Sequence, residues 1–158
     1  MCMLKKRRSR RAGGVTVEAA LLTPLLITLL FGIIEFGFVF KDLLVIHQAA
    51  REGARLAAIG APTTEISDRV QNSAPTLTIA DMAVALEYRT YFGGSWSSWG
   101  TLGDVGGVEN DAPANAQIRV SITYLHPLAC GSFFSRFVGD PGDTTVNLDT
   151  AMVMCREE

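Results

Sequence analysis

Two features near the N-terminus have residue types and a spacing that could take part in chemistry: the pair Gly13-Gly14 and the acid Glu18. Because glycine leaves the backbone free to adopt many conformations, the pair offers a peptidase a flexible boundary. A carboxylate such as Glu18 costs about 2.5–3.5 kcal/mol at the centre of a membrane helix and less near its ends. An N-terminal amine freed by cleavage, on the same or a neighbouring subunit, could neutralise it. Alternatively, Glu18 lies among lipid headgroups and stabilises a helix N-terminus through the dipole.

The element that positions these residues is an apolar run of 22 residues, from Ala19 to Phe40, in which Glu35 is the one charge. As a helix, the run spans about 33 Å, which matches the roughly 30 Å hydrocarbon core of a bilayer. Membrane helices tolerate an internal proline such as Pro24. The run therefore predicts a transmembrane helix. Glu35 has two interpretations: it contacts a partner helix in a complex, or it reaches the outer interface.

Charge is divided unevenly along the chain. Six of the 14 basic residues lie in the first eleven positions, and no acid precedes Glu18. This excess predicts a cytoplasmic N-terminus and an extracytoplasmic C-terminal part. Beyond Gly13, the chain has eight basic and 16 acidic residues, a net charge of −8. This part of the chain therefore lacks the basic patch that a nucleic-acid-binding surface requires. A cleaved secretory signal would have a shorter apolar region and a small-residue cleavage site, which favours a retained anchor.

Past the membrane, helical periodicity continues to about Ile59, with Leu44, Ala49 and Leu56 at helix-like offsets. A stop signal, Gly60-Ala61-Pro62, ends the helix. Residues 63–72 then predict a short helix capped by Thr63 or Thr64.

Three segments alternate between apolar and polar residues and predict strands, namely Met82–Tyr91, Ile118–Tyr124 and, less cleanly, Val146–Val153. A long Gly-rich loop, residues 92–116, separates the first two. The predicted fold is α+β: a long N-terminal transmembrane helix continues into a small head with a three-stranded antiparallel sheet packed on the helix. The predicted divisions are a basic leader (1–13), a transmembrane and shaft helix (14–60) and an extracytoplasmic head (61–158).

Gly13, four residues and then Glu18 at the head of an apolar helix resemble the processing region of type IV pilin-like proteins. Further motifs resemble the TadE-like family, the pseudopilins of tight-adherence (Flp-type) pilus systems. They are Val17-Glu18-Ala19, Pro24, Glu35-Phe36-Gly37 and the segment Ala49-Ala50-Arg51-Glu52-Gly53-Ala54-Arg55.

The resemblance implies that a prepilin peptidase cleaves after Gly13 and leaves Gly14 as the first residue. It implies other pilins or pilus-assembly proteins as partners, and a location in the bacterial cytoplasmic membrane or in a pilus. Ala19 differs from the Phe or Tyr that usually follows the glutamate in such pilins.

Nothing in the sequence indicates an enzyme, a cofactor or a metal site. His47 is interpreted as a helix-surface residue and His126 as a loop-edge residue, and no catalytic set has suitable spacing. Two acidic groups, Asp104, Glu109 and Asp111 and separately Asp140 and Asp143, lack the spacing of a calcium loop.

Two further pairs of side chains have alternative interpretations. A bridge between Cys130 and Cys155 is not favoured, because a hairpin of the last two strands would separate them by about 25 Å. Trp96 and Trp99 would form a binding surface if exposed, but folding back over the sheet is favoured.

Two functions remain open from the sequence. The first is a pseudopilin or minor pilin that assembles with a Flp-type pilus or its secretion complex. The second is an uncleaved single-pass anchor whose head binds a partner in the envelope.

Overall fold

A computed structural model of the chain describes residues 11–129, 131 and 144–157. Its first element is α1, a 48-residue helix from Arg11 to Ala58. The chain divides into two compact units, residues 1–37 and 38–158, and α1 is continuous through the boundary. A second helix, α2, covers Thr63–Asn72, and a short 3-10 turn covers Ile79–Asp81. The predicted long helix is confirmed.

The head contains one four-stranded antiparallel sheet and two small hairpins. The strands are β1 (Met82–Arg89), β2 (Tyr91–Phe92), β3 (Ser95–Trp96), β4 (Gly100–Thr101), β5 (Asp104–Val105), β6 (Glu109–Asn110), β7 (Gln117–Pro127) and β8 (Thr145–Cys155).

The main sheet has the order β4-β1-β7-β8, while β2 pairs with β3 and β5 with β6. The three predicted strands are confirmed as β1, β7 and β8. The segment 92–116, predicted as a long Gly-rich loop, contains or borders five two-residue strands. Such short strands carry too few residues to show an alternating pattern.

The core of the head lies between the sheet and the second half of α1. Every second residue of β7, from Ile118 to Tyr124, is buried, as the alternation predicted. The helix meets this face mainly with small side chains: Ala49, Ala50, Ala54 and Ala57 are fully buried. These alanines therefore pack beneath the sheet.

The larger apolar residues that defined the predicted helix face lie differently. Leu44 is 70% exposed and Ile59 is 57% exposed, whereas Ile46 is fully buried. The predicted periodicity therefore holds for Ala49 and Leu56, which are buried, and fails for Leu44 and Ile59.

At Gly53, α1 packs tightly against α2 and the sheet. A Cβ atom at this position would lie 2.5 Å from Val70 Cγ2 in α2 and 3.4 Å from Val120 Cγ1 in β7. Any side chain here would therefore force the two helices apart.

Helix α1 ends as the stop signal predicted. Gly60 adopts φ +91°, a conformation that suits glycine. Its N–H donates to the Ala57 carbonyl, and the N–H of Ala61 donates to the Leu56 carbonyl, both at 3.1 Å. This is the Schellman arrangement of a helix C-terminus.

The start of α2 is stabilised from a distant part of the chain. Asp104 in β5 accepts hydrogen bonds from the backbone N–H and the hydroxyl of Thr63, each at 2.7 Å. The N-cap residue is Pro62, which has no side-chain bond to offer. The prediction that Thr63 or Thr64 caps this helix was therefore wrong, because an acid 41 residues away does so.

A polar cluster fastens the end of α1 to the C-terminus. Asn110 is 2% exposed, and its side-chain N–H groups donate to the carbonyls of Ala57 and Ala61 at 3.0 Å each. Arg156 donates to the Asn110 carbonyl and to its Oδ1, both at 2.7 Å. The turn after α1 is thus held by side chains from β6 and from the residue after β8.

Candidate functional site

The predicted processing site lies inside α1. Gly13 and Gly14 are helical, and no atom outside the surrounding helical backbone lies within 4 Å of where a Gly14 Cβ would be. The sequence predicted a flexible boundary here instead. Each glycine makes a helix less stable by roughly 1 kcal/mol relative to alanine, so this first turn is easy to unwind. Residues 1–10 of the predicted leader lie outside the described residues.

Glu18 is exposed one turn further along the same helix. Around and after it, the helix presents apolar side chains in every direction, which include Leu21 at 73% and Leu25 at 66% exposure. A helix that is apolar on all sides is found in a membrane or buried among other helices. By length and composition, α1 could cross a membrane.

Two threonines in this apolar segment satisfy their hydroxyl groups within the helix. Thr23 donates to the Ala19 carbonyl at 2.6 Å, and Thr28 donates to the Pro24 carbonyl at 2.8 Å. No hydroxyl of the pair therefore requires water, and both are compatible with hydrocarbon.

Glu35 differs from its apolar neighbours because only 6% of its surface is exposed. The residues on either side, Ile34 and Phe36, are 43% and 65% exposed. Contact of Glu35 with a partner helix stays a prediction, and such a partner would have to reach a side chain that is already covered.

A buried acid–imidazole pair lies where the predicted membrane segment ends. His126 Nδ1 lies 2.7 Å from Asp42 Oδ2, and the two residues are 4% and 6% exposed. Lys41 lies 3.1 Å from the other carboxylate oxygen and is itself largely exposed. The pair joins α1 to the far end of β7.

The interpretation of His126 as a loop-edge residue was therefore wrong, because it is a buried residue of β7. Asp42 is likewise buried, on the side of α1 that faces β7. His47 is exposed on α1, as predicted. In addition, its Nδ1 lies 2.8 Å from the hydroxyl oxygen of Thr150 in β8.

The segment Ala49–Arg55 has one buried face of small residues and one exposed face of charged residues. Its alanines and Gly53 are buried against α2 and the sheet, whereas Arg51, Glu52 and Arg55 point away from the core. Arg55 and Glu52 form a pair of 3.5 Å on the exposed side. Small residues and charges at these positions are thus what a helix needs to pack closely on one side and remain solvated on the other.

A model of the family described as TadE-like protein matches residues 13–55. Residues 13–55 are TadE-like. The match confirms the resemblance drawn from the sequence, and it implies a protein associated with a Tad (Flp-type) pilus system. No curated protein and no solved structure matches the chain.

The TadE-like segment contains Gly13, Gly14, Glu18 and Glu35, and it ends at the last arginine of the packing segment. It therefore includes the apolar stem and most of the helix that supports the sheet. The sheet itself lies outside the match.

Beyond the TadE-like segment, the two tryptophans stack with arginines. The guanidinium of Arg89 lies 4.9 Å from the Trp96 ring and 4.5 Å from the Trp99 ring, and Arg119 lies 4.2 Å from the Trp99 ring. Glu87 bonds to Arg119 from the neighbouring strand. Trp99 is half-buried against the arginine-bearing face of the sheet, as expected, whereas Trp96 contacts Arg89 but remains 39% exposed.

The acids considered for calcium have separate partners. Asp104 bonds to Thr63, Asp111 accepts from the Gly103 N–H at 2.8 Å, and Glu109 pairs with Arg156 at 3.2 Å. Within the described ranges 11–129, 131 and 144–157, no group of three potential metal ligands occurs. Asp140 and Asp143 lie outside them.

Cys155 is exposed at the end of β8, opposite Gln117 at the start of β7. This is the register on which the separation of the two cysteines was predicted. Cys130 lies outside the described residues, so its pairing stays a prediction.

Proposed function

We propose that this protein is a non-enzymatic pseudopilin or minor pilin of a Flp-type pilus system. It is inserted with its N-terminus in the cytoplasm, and a prepilin peptidase removes the leader after Gly13. The observation that carries the proposal is the TadE-like match over residues 13–55 on a helix whose apolar surface is exposed. Such a surface suits lipid before assembly and the helices of other pilins after it.

Glu18 would link cleavage to assembly. Cleavage after Gly13 would create an amine on Gly14, about one helical turn from Glu18, and the carboxylate is exposed toward neighbours. Pairing of the amine with Glu18, in the same or an adjacent subunit, would remove the cost of an isolated charge in hydrocarbon. Because Gly14 lies inside α1, the peptidase would first have to unwind this turn of the helix.

The test of processing is the intact mass of the protein extracted from its own membranes. We expect the mass of a chain that begins at Gly14. A chain that begins at Met1 would overturn the processing proposal and support the alternative, an uncleaved single-pass envelope anchor. Replacement of Gly13 by Val supplies the control, because a β-branched residue at the cleaved bond should leave the full-length mass.

The test of assembly is the substitution Glu18→Ala, with the exposed Glu65→Ala in α2 as a matched control. We expect Glu18→Ala to retain normal membrane levels but to lose pili, because an unpaired amine then remains in the apolar assembly. Glu65→Ala should assemble normally, since its side chain lies outside the stem. Normal piliation by Glu18→Ala would contradict the proposed role.

A further inference from the structure

An open groove of about 690 Å³ runs between the outward side of α1 and strand β8. Its lining includes the apolar side chains of Leu44, Met152 and Met154 and the guanidinium groups of Arg51 and Arg55. All of these lie in the unit that begins at Phe38. The groove thus combines an apolar floor with a charged rim, on which Glu52 also lies and pairs with Arg55 at 3.5 Å. Methionines adapt well to a docked surface.

Strand β8 forms one wall of the groove and one edge of the main sheet. Among the described residues, β8 pairs with β7 alone. It has eleven residues with a single charge, Asp149, and no proline. Exposed edges are usually protected by charges, prolines or short length, and this one has little such protection. An edge of this kind is suited to receive another polypeptide.

The helix and this edge run in the same direction. His47 lies beside Thr150, and further along both elements the Glu157 N–H donates to the Ala58 carbonyl at 2.9 Å. Two copies that paired their β8 strands antiparallel would therefore hold their α1 helices in opposite directions. Copies anchored in one membrane with the same polarity cannot do so, which excludes a symmetric β8–β8 contact.

The complementary surface is on the head itself, at the tip of the β5–β6 hairpin. Val105 and Val108 are 63% and 74% exposed at this tip. They flank Gly106 and Gly107, whose φ angles of +62° and +72° give a tight turn that glycine favours. The segment from Gly103 to Asp111 carries three acids and no basic residue. The hairpin thus has an apolar tip, formed by Val105 and Val108, and acidic residues in its two strands and just after them.

We infer that the groove of one copy receives the β5–β6 hairpin of a second copy of this chain. Valines would meet the methionine floor, and Glu109, whose side chain is 64% exposed although it pairs with Arg156, would face Arg51. Arg51 has no ion-pair partner among the described residues, and its charge is available for this contact.

This contact joins two different surfaces, so it can repeat from copy to copy, and it builds a filament where the rotation between copies does not close into a ring. The hairpin is fixed beside residues 57–61, and the groove centres near residue 50 of α1. Neighbouring copies would therefore be staggered by roughly 15 Å along the helix. The inference rests on the proposed function, since it names the contact between heads in the assembly.

Cysteine cross-linking of the full-length protein in its native membranes tests this contact. All variants carry Cys2→Ser, Cys130→Ser and Cys155→Ser, which removes every native cysteine, and the test variant adds Val108→Cys and Met152→Cys. A short bis-maleimide should produce dimers, trimers and higher multiples of the chain. Either new cysteine alone should give no species above the dimer.

A matched control replaces Met152→Cys by Val153→Cys, which is exposed on the opposite face of the same strand. We expect no ladder with this control. The additional change Arg51→Glu should abolish species above the dimer, whereas Arg69→Glu, on the exposed side of α2, should leave them intact. Thermal unfolding of each variant shows whether the head remains folded.

Three results would overturn the inference: a ladder of equal strength with Val153→Cys, products that stop at the dimer, or products whose mass reveals a different protein in the groove. A ladder in a chain whose mass begins at Met1 would keep the contact and refute processing. A chain that begins at Gly14 and gives no ladder would refute the contact alone.

Discussion

Substitution of Gly53 by alanine is expected to destabilise the head, although alanine is the better helix former. The new Cβ would lie 2.5 Å from Val70 Cγ2, 3.4 Å from Val120 Cγ1 and 3.7 Å from Ile66 Cγ2. A valine methyl cannot move away easily, because its χ1 rotamers are restricted. The helix α2 must therefore shift as a body.

The size of the effect follows from two opposing terms. Overpacking a dense core costs about 1–3 kcal/mol, while the exchange of glycine for alanine in a helix gains about 1 kcal/mol. Because the closest contact is much shorter than the van der Waals distance, we expect an overpacking cost near the upper end of this range. After the gain in helix propensity is subtracted, the free energy of unfolding should decrease by about 1–2 kcal/mol. This corresponds to a decrease in Tm of about 4–10 °C.

The assay is thermal unfolding of the full-length protein in detergent, followed by tryptophan fluorescence. Gly37→Ala is the matched control in the same helix, because no neighbouring atom lies within 4 Å of its new Cβ. Its Tm should be unchanged or slightly higher. Val70→Ala removes the clashing methyl, so Gly53→Ala should cost less in that background. A Gly53→Ala variant as stable as the wild type would refute the packing argument.

Three further predictions concern contacts that span the sequence. Asp42→Ala should lower the free energy of unfolding by about 3 kcal/mol, because His126 then stays buried without its acidic partner. Chemical denaturation measures the change, and a loss under 1 kcal/mol would contradict the prediction. Asp104→Ala should cost about 1 kcal/mol through the lost bonds to Thr63, and hydrogen exchange should increase in α2 before the sheet. Trp99→Ala should cost about 1–2 kcal/mol because it removes two arginine contacts; an unchanged Tm would show that the stack carries no stability.

The parts of the fold that depend on local pattern could be predicted from the sequence. The apolar run, the stop at Gly60 and the alternation of β1, β7 and β8 each arise within a few residues. The register was also accessible, since the ends of β7 and β8 place Cys155 opposite Gln117.

The contacts that could not be predicted join residues far apart in the chain. Asp42 and His126 are 84 residues apart, and no local pattern in the sequence links them. Asp104 caps a helix that begins 41 residues earlier. Neither residue type nor local spacing carries the information, because each bond exists only after the sheet has packed on α1.

The extent of the TadE-like match follows from the same physics. Over residues 13–55 the chain must meet two restrictive environments in succession, a hydrocarbon layer and a close helix contact that admits only small residues such as Gly53. A sheet face accepts many apolar side chains, provided that they alternate. The helix is therefore the part of the chain in which packing restricts the residue type most closely, whereas the sheet requires little more than alternation.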